Sequence, residues 1–146
     1  MTTPIVPDIP IKLFPGGQLP QYMTDGAGAM DVFANIPAPT WCTAGGRPTL
    51  FPLGFALAIP YGWCARILGR SGMTRAGYFC KPALIDSDFR GEVSVMLWTP
   101  DAQDSIKPGQ RIAQMYFTLS PRALFRSVAE LPPTARGLGG FGSTGK

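Results

Sequence analysis

The sequence predicts an all-β domain, a jelly-roll-like sandwich or barrel, and three observations carry that reading. Glycine and proline supply 18 and 16 of the 146 residues; they interrupt the chain every few positions and leave no room for long helices. The stretches between them are short, rich in β-forming residues, and in places alternate apolar with polar side chains. The residues are 45% hydrophobic and only 15% charged. That is enough apolar material for one core at this length, yet little charge for a free surface, which points to an oligomer with hidden subunit contacts.

Taken in order, "IPIKLF" (residues 9–14) reads as a first short strand followed by a Pro/Gly turn. "GAMDVFA" (residues 28–34) mixes glycine with β-formers around a single acid, Asp31. Residues 49–72 offer strands around Phe55–Ile59 and Trp63–Leu68, joined by Pro60-Tyr61-Gly62. "GEVSVMLWT" (residues 91–99) sets Val93, Val95 and Leu97 on one face against Ser94, Met96 and Trp98, the period of two that a half-buried strand requires. "KPGQ" is a turn, and "RIAQMYFTLS" (residues 111–120) is a further strand. Only residues 71–77 and 121–130 suit a helical turn or two. No internal repeat occurs, and past about residue 131 the pattern stops. The chain therefore divides into a β domain, residues 1–130, and a glycine-rich C-terminal arm, residues 131–146.

Composition also excludes functions. The net charge is +4, but the basic residues are scattered without any Lys/Arg run; a small anionic ligand suits this better than a nucleic-acid polymer. There is no histidine, so Ser-His and Cys-His catalysis and His-ligated metals are impossible within the chain. Cys42, Cys64 and Cys80 are odd in number and outside any C-x-x-C arrangement; they read as buried thiols in a reducing compartment. The start "MTTPIVPDIP" lacks the pattern of a leader, and no apolar run approaches ~18 residues. An intracellular location with no membrane partner is the expectation.

Asp86 directly follows the apolar pair Leu84–Ile85 in "ALIDSDFRGE". Two readings stand side by side: a turn-former bonding its own backbone, or a general base that takes a proton from water. Asp88 and Glu92 read as solvated charges. "LGRSGMTRAG" ends a strand on Arg70-Ser71-Gly72, which together supply a fork of donors, a hydroxyl and open backbone N–H groups for an anion. The tail "RGLGGFGSTGK" contains the spacing G-x-x-x-x-G-K over Gly140–Lys146. A phosphate loop of that type needs a hydroxyl after the lysine and a helix behind it, and neither follows Lys146. Arg136 and Phe141 nevertheless exceed what a solubilising tail requires.

In chain order the sequence gives "GAMDVFA", "GRSGM", "LIDSDFRGE", "PGQRIAQM" and "RGLGGFGSTG". That series resembles the five motifs of the trimeric dUTPase family over residues 28–145. The resemblance implies a homotrimer of jelly-roll-like subunits with a flexible C-terminal arm, each active site built from all three chains. It implies hydrolysis of dUTP to dUMP and pyrophosphate, with Mg²⁺ held mainly by the triphosphate. By position, Asp86 would activate the water that attacks the α-phosphorus. Arg70, Ser71, Gly72 and Gln114 would hold phosphates, and Asp31 would reach the metal through water. Cys80, Ala83, Leu84 and Ile85 would belong to the hairpin that takes uracil, and Phe89 would pack under the deoxyribose, leaving no room for a 2′-hydroxyl. In the arm, Arg136 would meet the γ-phosphate, Phe141 would stack on uracil, and Gly142, Ser143 and Thr144 would touch phosphate.

The chain departs from the family pattern at several positions. Phe89 replaces the usual tyrosine, keeping the ring and losing the hydroxyl. Ala83 stands where the family has glycine and resists positive φ, while Pro82 beside it donates no N–H. Cys80 falls where some relatives have asparagine, and Gly28-Ala29 reverses the usual order. Two other functions fit the same fold. A dCTP deaminase would need a glutamate near Met96, and that strand has no acid beyond Glu92 at its start. A non-catalytic, nucleotide-responsive regulator would not need both Asp86 and Arg136.

Overall fold

The computed structural model describes residues 6–45, 47–101 and 105–140. Among them, eleven short strands and one short helix follow one another: β1 (Ile11–Leu13), β2 (Met30–Phe33), β3 (Thr40–Trp41), β4 (Thr49–Pro52), β5 (Phe55–Leu57), β6 (Trp63–Leu68), α1 (Ser71–Arg75), β7 (Phe79–Cys80), β8 (Ala83–Ile85), β9 (Ser94–Trp98), β10 (Ser105–Ile106) and β11 (Arg111–Leu119). A four-stranded sheet runs in the order β2-β11-β6-β8 and a three-stranded sheet in the order β4-β9-β7, with two-stranded ribbons β1-β5 and β3-β10 beside them. Every pairing between these strands is antiparallel, as short connections demand.

Both larger sheets feed one core. Val95 and Leu97 of β9 and Phe51 of β4 are buried together with Val32 of β2, Ile67 of β6 and Ile112, Ala113 and Met115 of β11. On β9 the alternation read from the sequence is realised: Val95 and Leu97 are buried while Trp98 is exposed. The expectation of strands at 63–68 and 111–120 matches β6 and β11, whose ladder runs from Gln114 opposite Leu68 to Leu119 opposite Trp63. Strands β3, β4, β7, β8 and β10 are added; most have two or three residues, too few for a period to be visible in sequence.

Four expectations are corrected. Residues 121–130 form no helix. Leu124 and Phe125 are both 98% exposed, and a ten-residue helix with no buried face lacks the packing that sustains short helices. The segment before Asp86 is not a hairpin, because β7 pairs with β9 in one sheet while β8 pairs with β6 in the other. Residues 81–82 carry the chain between the two sheets, and Lys81 is held there by its N–H donating to the Met96 carbonyl at 2.9 Å. Glu92, although exposed, is more than a solvated charge: its Oε1 accepts the Gly54 N–H at 3.0 Å. Gly54 itself has φ +74°, and a Cβ there would meet the Asn35 amide at 2.5 Å, so this corner requires glycine. Of the three cysteines, Cys42 and Cys64 are buried but Cys80 is only half-buried.

Candidate active site

Among the described residues, both side-chain ion pairs lie where β2, β11 and the end of β6 meet. On β11, Gln114 stands opposite Asp31 of β2 on one side and Leu68 of β6 on the other. Asp31 is buried, and both of its oxygens are used. Arg70 donates from Nε to Oδ1 at 2.9 Å, and Arg111 donates from Nη1 to Oδ2 at 3.2 Å. Arg70 is fixed a second time by donating from Nη1 to the Arg111 carbonyl at 3.1 Å. The Gln114 amide donates to the Gly69 carbonyl at 2.8 Å and so holds the turn that leads into Arg70. The register of β11 on β2 shifts between Arg111 and Ala113, a local irregularity in the strand that carries Arg111.

These groups line an open hollow together with Gly28, Ala29 and Ser71. Two guanidiniums against one carboxylate leave it net positive, with the Ser71 hydroxyl at its rim. Such an arrangement recognises an oxyanion, and phosphate above all, through forked, pre-aimed donors. Arg111 is the member that the sequence reading passed over. Its signal was present in "PGQRIAQM", three residues before Gln114, but its pairing with an acid 80 residues away is invisible without the fold.

A second group of predicted residues lies elsewhere. Ala83, Leu84, Ile85, Asp86 and Phe89 line a hollow that shares no residue with the first. Asp86 is exposed at its edge and also borders a further hollow with Trp63, Ser87 and Arg122. The Ile85 side chain is buried in the core, so what this residue can offer a ligand is backbone. β8 is an edge strand of its sheet, and its outer edge offers strand donors and acceptors to a planar ligand. The Cys80 thiol, which donates to the Lys81 carbonyl at 3.6 Å, is pushed up to about 11 by loss of solvent around it. It is a neutral thiol at neutral pH and no nucleophile.

The turn after Asp86 is built with care. The Phe89 N–H donates to the Asp86 carbonyl at 3.2 Å. Arg90 donates from Nη1 to the carbonyls of Ser87 at 2.7 Å and Phe89 at 2.9 Å. The turn is held by the Asp86 backbone carbonyl, while the Asp86 residue itself stands exposed.

Antiparallel register fixes how far apart the two groups are. Ile85 lies opposite Ala65, which puts Asp86 at the Trp63 end of β6, whereas Arg70 leaves from the Leu68 end. Six residues of nearly extended chain separate those levels, roughly 20 Å at the rise of a strand. Asp86 and Arg70 thus stand at opposite ends of β6. In the arm, Arg136 is described and donates to the Gly139 carbonyl at 2.9 Å, apart from both hollows. Phe141, Gly142, Ser143 and Thr144 lie outside the described residues.

Among the described residues no group of three or more His, Cys, Asp or Glu side chains gathers to hold a metal. Both oxygens of Asp31 accept from arginines; Mg²⁺ keeps several waters and is commonly carried by substrate phosphates. None of the described helices is long and apolar enough to cross a membrane.

The chain is all-β, with two arginines and a carboxylate gathered at one corner and a separate, acid-bearing strand edge. The chain belongs to the dUTPase family, whose family model matches residues 17–145. It is 40% identical over 149 residues to the deoxyuridine 5'-triphosphate nucleotidohydrolase of Rhizobium meliloti (strain 1021), covering 97% of this chain and 93% of that one. Among solved structures it is similar to a mutant of the Staphylococcus bacteriophage 80alpha dUTPase with dUpNHpp. There the TM-score is 0.86 and the identity 17%, covering 97% of this chain and 100% of that chain. A mutant dUTPase from phage phi11 of S. aureus, described with the coordination of a structural Mg(II) ion, gives a TM-score of 0.75 at 14% identity, covering 85% of this chain and 98% of that chain. These structural likenesses carry the fold.

Proposed function

We propose that this chain hydrolyses dUTP to dUMP and pyrophosphate as a homotrimer, with Asp86 of one subunit and the Asp31–Arg70–Arg111–Gln114 corner of another closing on the same nucleotide. The observation that carries the sharing is the placement of Asp86 and Arg70 at opposite ends of β6. In this reading the base is taken by the outer edge of β8 near Cys80 and Ala83, and Phe89 packs against the deoxyribose. The Asp86 carboxylate accepts a proton from the water that attacks the α-phosphorus. Arg70 and the Ser71 hydroxyl neutralise charge on the departing pyrophosphate, Gly72 leaves its backbone open to phosphate, and Gln114 holds the Gly69 turn in place. Phosphoryl chemistry asks for positioning and charge neutralisation more than covalent help, which is why a chain without histidine is sufficient. Mg²⁺, when it arrives with the triphosphate, would draw charge from the phosphates; Asp31 is the residue that would face it, through water.

The residues from 131 onward act as an arm over a neighbouring subunit's site, with Arg136 reaching phosphate, Phe141 the base, and Gly142, Ser143 and Thr144 further phosphate oxygens. Supporting this, Leu131 and Leu138 stand exposed, and among the described residues Arg136 hydrogen-bonds within its own turn. The test is direct: purified protein is incubated with Mg²⁺ and dUTP, dCTP, UTP or dTTP, and pyrophosphate is measured. Release from dUTP alone is expected. Release of ammonia from dCTP, or none from any nucleotide, overturns the reading. Subunit sharing is tested by mixing Asp86→Asn chains with Arg70→Ala chains. Recovered activity on subunit exchange supports it, and continued inactivity with exchange confirmed refutes it.

A further inference from the structure

Gly91 follows Arg90 at the foot of the Asp86–Phe89 turn. Its φ lies outside the left-handed region that favours glycine, so the backbone there does not require glycine. The requirement comes from the neighbouring ring. A Cβ built on Gly91 would stand 2.6 Å from Cζ and 2.9 Å from Cε2 of Phe89, well inside van der Waals contact. The tip of the Phe89 ring rests on the bare backbone of Gly91.

The chain on either side of this contact is pinned. Upstream, Arg90 holds the carbonyls of Ser87 and Phe89, and the Phe89 N–H is bonded to Asp86. Downstream, Glu92 accepts the Gly54 N–H, and Val93 is tied to Phe55 and Leu53 through its own N–H and carbonyl. A methyl group at position 91 therefore cannot be accommodated by moving backbone. The ring must give way, and Phe89 is 45% exposed, so it has open space to swing into.

We propose that Gly91 is a positioning residue for sugar selection: its missing side chain seats the Phe89 ring where a 2′-hydroxyl would otherwise fit. This rests on the reading of Phe89 as the wall against the deoxyribose. Gly91 touches no substrate atom and acts only through that ring.

The experiment compares Gly91→Ala, Phe89→Ala and the double variant for kcat/KM on dUTP and on UTP, with melting temperature as a control. Gly91→Ala is expected to melt like the parent, to keep kcat on dUTP within a few-fold, and to lower the dUTP-to-UTP ratio roughly tenfold or more, the scale on which a misplaced apolar contact discriminates. Phe89→Ala lowers the same ratio, and adding Gly91→Ala to it changes nothing further, because the ring through which Gly91 acts is gone. Parental discrimination in Gly91→Ala beside lost discrimination in Phe89→Ala overturns the role of Gly91 and leaves that of Phe89 standing. Parental discrimination in Phe89→Ala overturns the reading of Phe89 and the inference with it. Should Gly91→Ala fail to fold, the Gly91 α-proton resonances of the parent decide: a ring-current displacement that vanishes in Phe89→Ala supports the contact, and its absence refutes it.

Discussion

Replacing Asp31 by asparagine isolates what holds the phosphate corner together. The amide has nearly the shape of the carboxylate, but it carries no charge and one of its two heteroatoms becomes a donor. In the parent, Oδ1 faces Arg70 and Oδ2 faces Arg111, so the new NH₂ group must point at a guanidinium, donor against donor. The Arg70–Asp31 pair is partly shielded, with side chains 23% and 10% exposed, and a charge-assisted bond of that kind contributes about 2 kcal/mol. Arg111 is 46% exposed, and solvent screening reduces its share to about 0.5 kcal/mol. The sum, about 2.5 kcal/mol, corresponds to a drop in melting temperature of roughly 5–10 °C for a chain of this size. Arg70 also loses its aim, so KM for dUTP is expected to rise roughly tenfold, the equivalent of one lost charge-assisted contact. The assay is a thermal melt by circular dichroism at fixed protein concentration, paired with steady-state pyrophosphate release. A variant that melts within about 1 °C of the parent, beyond which the stated stability cost would be evident, and keeps its KM would refute the account of Asp31 as the keystone of this corner.

Asp86→Asn is expected to keep nucleotide affinity and lose turnover by about 10²–10⁴-fold, since the amide cannot accept the proton of the attacking water; equilibrium binding of a non-hydrolysable analogue beside single-turnover hydrolysis checks both halves. Cys80 has its folded pKa raised from 9.0 to about 11 by burial, so its contribution to stability is fully present below pH 9 and is lost as pH rises through 11. Urea midpoints should therefore fall over that window and fall less in Cys80→Ser, and alkylation of native Cys80 at pH 8 should be slower than in urea and slower again with dUTP bound. Deleting residues 136–146 should shift the melting temperature little, because the described contacts of Arg136 and Gly139 are with each other, while turnover falls sharply; an unchanged kcat would remove the arm from the site.

What the sequence by itself determined was local. The punctuation by glycine and proline excluded long helices, and the period of two along Val93, Val95 and Leu97 located β9 and its buried face, because side-chain direction along a strand depends only on the neighbours in the chain. The donors of Arg70 and Ser71 and the acid of Asp86 were likewise legible as residue types in short motifs, whereas Gln114 was singled out only by the family resemblance. Only the tertiary structure decided how those residues are grouped. The ion pairs of Asp31 span 39 and 80 positions of sequence, and the register of β8 on β6 places Asp86 at the far end from Arg70. The split of β7 and β8 between two sheets and the seat of Phe89 on Gly91 were equally hidden. These arrangements come from pairing and packing between remote segments, where register and burial of a common core outweigh any preference written in the local chain.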